Sequence, residues 1–180
     1  MNKTTTDNNI LNALRHDMQR GFTMFMQQYR EPVYWHIRRL VVSHDDAEDV
    51  TQEVFVRVLR SIDKFRGECS LTSWVYRIAT NEAIRLINSR RSDTCSIDTT
   101  SAQTIGNIEA DNYVDFDDAI AVKFQQAIHS LPHKQQATFN LRYYDELEYE
   151  EIAEITHSTP ASAKANYHTA KQKIEAFMNK

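Results

Sequence analysis

The 180-residue sequence predicts an all-α protein of two small helical domains joined by an acidic linker. Three observations carry that prediction. Only three Gly and three Pro interrupt the chain, while the good helix formers Leu, Ala, Glu, Gln, Lys and Arg recur throughout. Apolar residues return every three or four positions around 50–62, 71–86 and 163–177, the period of one helix face. Between these segments, residues 92–117 show no such period.

Composition excludes several classes. No run approaches the roughly 18 apolar residues that a membrane span needs, and the polar opening MNKTTTDNN is unlike a secretory signal, so a cytoplasmic chain without membrane insertion is expected. Cys69 and Cys95 stand in no C-x-x-C spacing and are expected as free thiols. The sequence has no Gly-rich phosphate loop, no H-E-x-x-H and no recognisable nucleophile context, which predicts no enzyme and no cofactor. His129 and His133 are four apart, but Pro132 intervenes, so no metal site is expected there, and His157 and His168 read as turn and surface residues.

The first domain, residues 1–91, carries two periodic segments. Val50, Val54, Val58 and Ile62 recur at every fourth position with Phe55, Leu59 and Phe65 beside them, a stripe expected in the core. The opposite face holds Asp49, Gln52, Glu53, Arg57, Arg60 and Lys64, and the run DDAED places acids at the helix start, where the helix dipole favours them. Spacing alone favours a solvated face with a Glu53–Arg57 pair. A short loop containing Gly67 then leads into a helix that buries Leu71, Val75, Ile78, Ala79 and Leu86. Projection at 3.6 residues per turn puts Ser73, Arg77, Thr80, Asn81 and Asn88 away from that core, with Trp74 at the boundary and Arg85, Arg90 and Arg91 nearby. Amides, hydroxyls, guanidiniums and an aromatic suit base edges, phosphates and unstacked bases, although Trp74 serves equally well as a core anchor.

The linker, residues 92–117, is rich in Ser, Thr, Asp and Asn, which favour turns and extended chain. Between Ser92 and Val122 stand seven acids and no Lys or Arg. Setting those aside leaves 21 bases against 18 acids, so the flanking domains are on balance positive although the whole chain carries −4.

The second domain, residues 118–180, holds a helix-turn-helix pattern. Ile152, Ala153 and Ile155 close one helix, and Thr159 followed by Pro160 opens the next, with Thr as N-cap and Pro at the first helical position. Ala163, Tyr167, Ala170, Ile174 and Phe177 should pack inward and turn Ser162, Lys164, Ala165, His168 and Thr169 outward, flanked by Asn166 and Lys171, with Lys173 further along. Such a second helix normally enters the major groove.

The two halves together resemble the extracytoplasmic function (ECF) sigma factors of bacterial RNA polymerase. DAEDVTQEVFVRVLR and FRGECSLTSWVYRIATNEAIRLINSRR are similar to the family's polymerase-binding and promoter-melting region, and SLPHKQQATFNLRYYDELEYEEIAEI and SAKANYHTAKQKI to its promoter-reading helix-turn-helix. The resemblance implies a non-catalytic initiation factor whose partners are core RNA polymerase, promoter DNA and an anti-sigma factor. It implies that Asp49, Gln52 and Glu53, with Arg57 beside them, grip the polymerase clamp helices, which replaces the solvated-face reading. It gives the loop from Phe65 to Thr72, with Arg66, Gly67 and Ser70, the capture of a base flipped from the minus-ten element. Trp74, Arg77, Asn81 and Arg85 fall on the helix that handles neighbouring DNA, while Ser162, Lys164, Ala165, Asn166, His168, Thr169 and Lys171 fall on the reader of the minus-thirty-five element. The acidic linker would thread polymerase channels built for nucleic acid.

The sequence departs from the family at the turn, where His157 replaces the usual Gly and Ser158 an apolar residue, so a looser turn is expected. Asn166 and Thr169 stand where Arg is frequent, which predicts a shallower salt dependence of DNA binding. Two other readings use the same residues. An autonomous dimeric helix-turn-helix regulator would need a palindromic site, and a helical adaptor would show no DNA dependence.

Overall fold

The computed structural model describes residues 3–41, 43–94 and 119–179, and among them all regular structure is helical. Of the expected linker, residues 92–94 are helical instead, and the rest lies outside the described residues, as does Cys95. The first half comprises α1 (Lys3–His16), α2 (Met18–Arg38), α3 (His44–Ser61) with a 3₁₀ turn at Ile62–Lys64, and α4 (Leu71–Thr94). The second half comprises α5 (Ala119–His129), α6 (His133–Tyr143), α7 (Tyr149–Ile155) and α8 (Pro160–Met178).

Local chemistry sets the helix starts. Asp17 caps α2 by accepting from the Arg20 amide at 3.0 Å, and Ser43 caps α3 by accepting from Asp46. The α1–α2 pair closes tightly because residue 21 is Gly, where a Cβ would lie 2.3 Å from the Leu14 amide nitrogen. Around this corner Ile10, Phe25, Val33, Ile37, Val54 and Val75 form the main core, with Phe25 edge-on to Phe55 at 5.8 Å. Val50, Val58 and Ile62 are buried as expected, but Leu59 is not a core residue: it is 42% exposed, beside Val56 at 39%. The apolar arc of α3 is wider than the surface that α2 and α4 cover.

In the second half, α7 begins with a capping box between Glu148 and Glu151, and Thr159 accepts from the Ser162 amide at 3.2 Å with Pro160 at the first position of α8. Ala127, Ile128, Leu131, Phe139, Ala170 and Ile174 form a small core there. A further cluster crosses between the halves, since Tyr76 of α4 packs with Leu141, Leu147, Ile152, Ile155 and Ala163.

Polar groups complete that seam. His36, fully buried on α2, places Nε2 2.9 Å from Thr80 Oγ1 and Nδ1 2.9 Å from Asp145 Oδ2, in the turn between α6 and α7. A carboxylate only accepts, so Nδ1 carries the hydrogen. Arg39 reaches the other Asp145 oxygen at 3.3 Å and lies over the Tyr144 ring at 4.3 Å. Its own carbonyl, left over at the end of α2, accepts from Gln136 and Asn140 of α6 at 3.1 and 3.2 Å. Ser73 and Thr80, expected to point away from the core, are buried instead: Ser73 is bonded to Ser70 and Thr80 to His36 of α2, on the face of α4 from which Tyr76 meets the second half.

Candidate nucleic-acid interface

Three surfaces carry the residues singled out in the sequence. On α3, Asp49, Gln52 and Arg57 are exposed and Glu53 is half-exposed, its carboxylate 3.0 Å from Arg57 Nε. Gln52, Val56 and Leu59 follow at four and three residues, so the two exposed apolar side chains sit in the middle of this polar face. A face with an apolar centre and a charged rim fits a protein partner better than water. The spacing had hidden Val56 and Leu59, because an apolar residue beside a core stripe looks like part of it.

Arg57 also reaches α4, where Glu82 Oε1 lies 3.0 Å from its Nη1. The other Glu82 oxygen takes Arg85 Nη2 at 2.7 Å and Nε at 2.9 Å. A single buried carboxylate thus joins the α3 face to the exposed guanidinium of α4. Its pairing with Arg85 was legible as an i,i+3 spacing, whereas its pairing with Arg57 depends on the packing of α3 on α4. Further along, Arg90 binds the Asp46 carboxylate with both terminal nitrogens.

The loop from Phe65 to Ser70 turns at Gly67, whose φ of +74° a side chain would oppose. It docks through Ser70, whose hydroxyl accepts from the Ser73 amide at 3.0 Å and donates to Ser73 Oγ at 2.9 Å. Phe65 and Trp74, both half-buried, meet at 5.3 Å, so Trp74 is anchored by one side while part of it remains accessible. Arg66, Gly67, Ser70, Asn81 and Arg85 are exposed and Arg77 is half-buried. Cys69 is a free thiol, raised above its ordinary pKa chiefly by burial.

Between this loop and α1 lies a cavity of about 420 Å³. The loop forms one side, Asp7, Asn8 and Leu11 the opposite side, and Glu151 of α7 part of the rim. Asp7 is 8% exposed and accepts from the Tyr29 hydroxyl at 2.6 Å. Thr72 Oγ1 lies 3.0 Å from Tyr29 Oη and 3.4 Å from the other Asp7 oxygen. Burial and then the Asp7 carboxylate raise Tyr29 far above the ordinary phenol range, so it stays a donor. No spacing in the sequence pointed to Asp7 or Asn8, which reach the loop only through the fold of α1.

On α8, Ser162, Lys164, Ala165, His168 and Lys171 are exposed, while Asn166 and Thr169 are half-buried. Ser162 is engaged in the cap, where Thr159 Oγ1 also donates to its hydroxyl at 2.9 Å. The turn before α8 has His157 at φ +49°, and the Ser158 amide reaches the Ala153 carbonyl at 2.9 Å, the long bond of a Schellman motif. Where the apolar contact is missing, Thr156 Oγ1 and Ser158 Oγ meet at 2.9 Å.

Among the described residues no group of three or more His, Cys, Asp or Glu is placed to hold a metal ion, and His129 Nδ1 is paired with Gln136 Nε2 at 3.0 Å. No described helix is long and apolar enough to cross a membrane.

Residues 25–92 match the family model described as Sigma-70 region 2, and residues 121–174 that described as Sigma-70, region 4. The chain is 30% identical over 165 residues to the ECF RNA polymerase sigma factor SigW of Bacillus subtilis (strain 168), covering 87% of this chain and 88% of that protein. It is 28% identical to the ECF RNA polymerase sigma-E factor of Escherichia coli (strain K12), over 97% of this chain and 95% of that one. Two solved structures share the fold. The sigma factor RpoE in complex with the anti-sigma factor NepR from Bartonella quintana matches with a TM-score of 0.69 at 20% identity, over 88% of this chain and 96% of that one. CnrH in complex with the cytosolic domain of CnrY matches with a TM-score of 0.72 at 16% identity, over 97% of both chains.

Proposed function

The chain belongs to the ECF sigma factors, and from that premise we propose how its surfaces divide the work of promoter recognition. It is a transcription initiation factor that binds core RNA polymerase and directs initiation at specific promoters, with no catalytic role. Nothing in the comparisons favours an autonomous dimeric regulator.

Residues 1–91 take the polymerase-binding and minus-ten work, and residues 118–180 the minus-thirty-five work. The α3 face docks on the polymerase clamp through Asp49, Gln52, Glu53 and Arg57, with Val56 and Leu59 as the apolar centre that association desolvates. The loop cavity receives an unstacked base beside Phe65, and Trp74, Arg77, Asn81 and Arg85 guide the strand that leads to it. The exposed end of α8 enters the major groove. The observation that carries this reading is a base-sized cavity and a mixed protein-docking face on adjoining helices of the same half.

The two promoter elements lie about 25 base pairs apart, roughly 85 Å at 3.4 Å per pair. Halves joined by hydrogen bonds near 3 Å cannot read both at once. Promoter engagement therefore requires the seam at His36 and Asp145 to part. An anti-sigma factor is a fitting further partner, since the RpoE neighbour is held in a complex with one, and the protein works in the cytoplasm, where the polymerase is.

Run-off transcription with core polymerase and host promoter fragments tests the reading. Transcripts that need the protein and are lost with Asp49→Ala/Gln52→Ala are expected. Tight dimeric binding to DNA by the protein alone, with no transcript, would overturn it.

A further inference from the structure

We propose that Asp7 is a specificity-determining residue of the loop cavity, selecting a turned-out base that presents amino hydrogens and rejecting thymine. The proposal rests on the reading of that cavity as the base pocket. It adds a residue from α1, which lies outside the span 25–92 that the family model matches.

Asp7 supplies acceptors only, because a carboxylate has no hydrogen to give and the Tyr29 hydroxyl, held protonated, spends its own on Asp7 at 2.6 Å. With that hydrogen committed, the single Thr72 hydroxyl hydrogen goes to Tyr29 Oη at 3.0 Å or to Asp7 at 3.4 Å. Either way the carboxylate is fixed in orientation and keeps lone pairs for a ligand. None of the cavity's lining residues is Lys or Arg, and the other acids there are Glu68 and Glu151. Glu151 belongs to the second half and leaves when the seam parts, so Asp7 remains as the buried acceptor of the open pocket.

Cytosine, adenine and guanine each carry an exocyclic amino group, whereas thymine offers carbonyl oxygens and one ring N–H. A thymine carbonyl facing the buried Asp7 carboxylate sets acceptor against acceptor. A pocket built to bond a donor discriminates strongly against a ligand that lacks it. The Asn8 amide, on the same wall, can both donate and accept and so serves the carbonyl or ring nitrogen beside the amino group.

The test uses the full-length protein with core polymerase and single-stranded non-template oligonucleotides spanning the minus-ten element. All four bases are placed at each position in turn, and affinity is read by competition. At one position thymine should bind about tenfold more weakly than an amino-bearing base, in keeping with one lost base-edge pairing. At that position, 2-pyrimidinone in place of cytosine, or purine in place of adenine, should cost the same factor without any change to the protein. Asp7→Asn should abolish the discrimination there while leaving the other positions within about twofold, since its amide oxygen still accepts from Tyr29. If one position shows base preference that ignores the amino group and survives Asp7→Asn, the role of Asp7 is overturned and the pocket reading stands. If no position shows any base preference in the wild type, the pocket reading falls and the proposal with it.

Discussion

His36 and Asp145 stand 109 residues apart in sequence and meet at 2.9 Å, joining the second helix of the first half to the turn before the helix-turn-helix. The pair is enclosed, with the His36 side chain at 0% exposure and that of Asp145 at 7%. Removing Asp145 leaves the buried His36 Nδ1 hydrogen without this acceptor, at a cost of about 1–3 kcal/mol.

Asp145→Ala should therefore open the seam, because it deprives both His36 and Arg39 of their shared acceptor. The expected outcome in solution scattering of the free protein is a larger radius of gyration than wild type. Run-off activity should be retained, since the promoter-engaged form has already parted there. An unchanged radius would show that the apolar packing around Tyr76 holds the halves without the latch.

Acid should weaken the fold through His129. Burial, and after it the Arg38 guanidinium, push this imidazole down to about 4. The unfolded chain then takes up the proton first, so the contribution is complete above about pH 6.5 and is lost as pH falls toward 4. At pH 5 the loss is on the order of 2 kcal/mol. His129→Gln, which can still accept from Gln136, should flatten the fall in urea-unfolding free energy between pH 7 and pH 5. A slope equal to that of wild type would assign the acid sensitivity elsewhere.

Leu59→Glu should leave thermal stability within about half a kcal/mol, as surface substitutions do. The same change should weaken core polymerase binding by about tenfold or more, because it puts a charge at the centre of a desolvated face. A large drop in melting temperature would instead restore Leu59 to the core.

His157→Gly should stabilise the second half, because a non-glycine residue at φ +49° carries strain that glycine lacks. A gain of about 0.5 kcal/mol in urea unfolding is expected, the relief being partly offset by the greater freedom of glycine in the unfolded chain. A loss of stability would mean that the His157 side chain makes a contribution larger than the backbone strain.

Much of the fold is legible without coordinates. Val50, Val54 and Val58 announce α3 through their period, and Thr159–Pro160 announces the start of α8 through cap chemistry. His157 at the turn could be assigned its left-handed backbone for the same kind of reason, since that conformation answers to neighbours within five residues. The candidate interface was legible as residue types on helix faces, and the chain's resemblance to a family gave those faces their roles.

What the sequence determined by itself is therefore the set of helices, their caps and the polar or apolar character of each face, because these depend on interactions within a turn or two of chain. The tertiary structure alone decided which face meets which. Thr80 and Ser73 look as accessible as Asn81 until the packed helices bury them, Thr80 on His36 of α2, and Leu59 looks like core until the packing of α3 leaves it outside. Asp7 becomes part of a pocket only when α1 brings it within reach of Thr72, 65 residues away. Such pairings are set by how the apolar surfaces of separate helices close on one another, and the spacing along any one helix is the same whichever partner it meets.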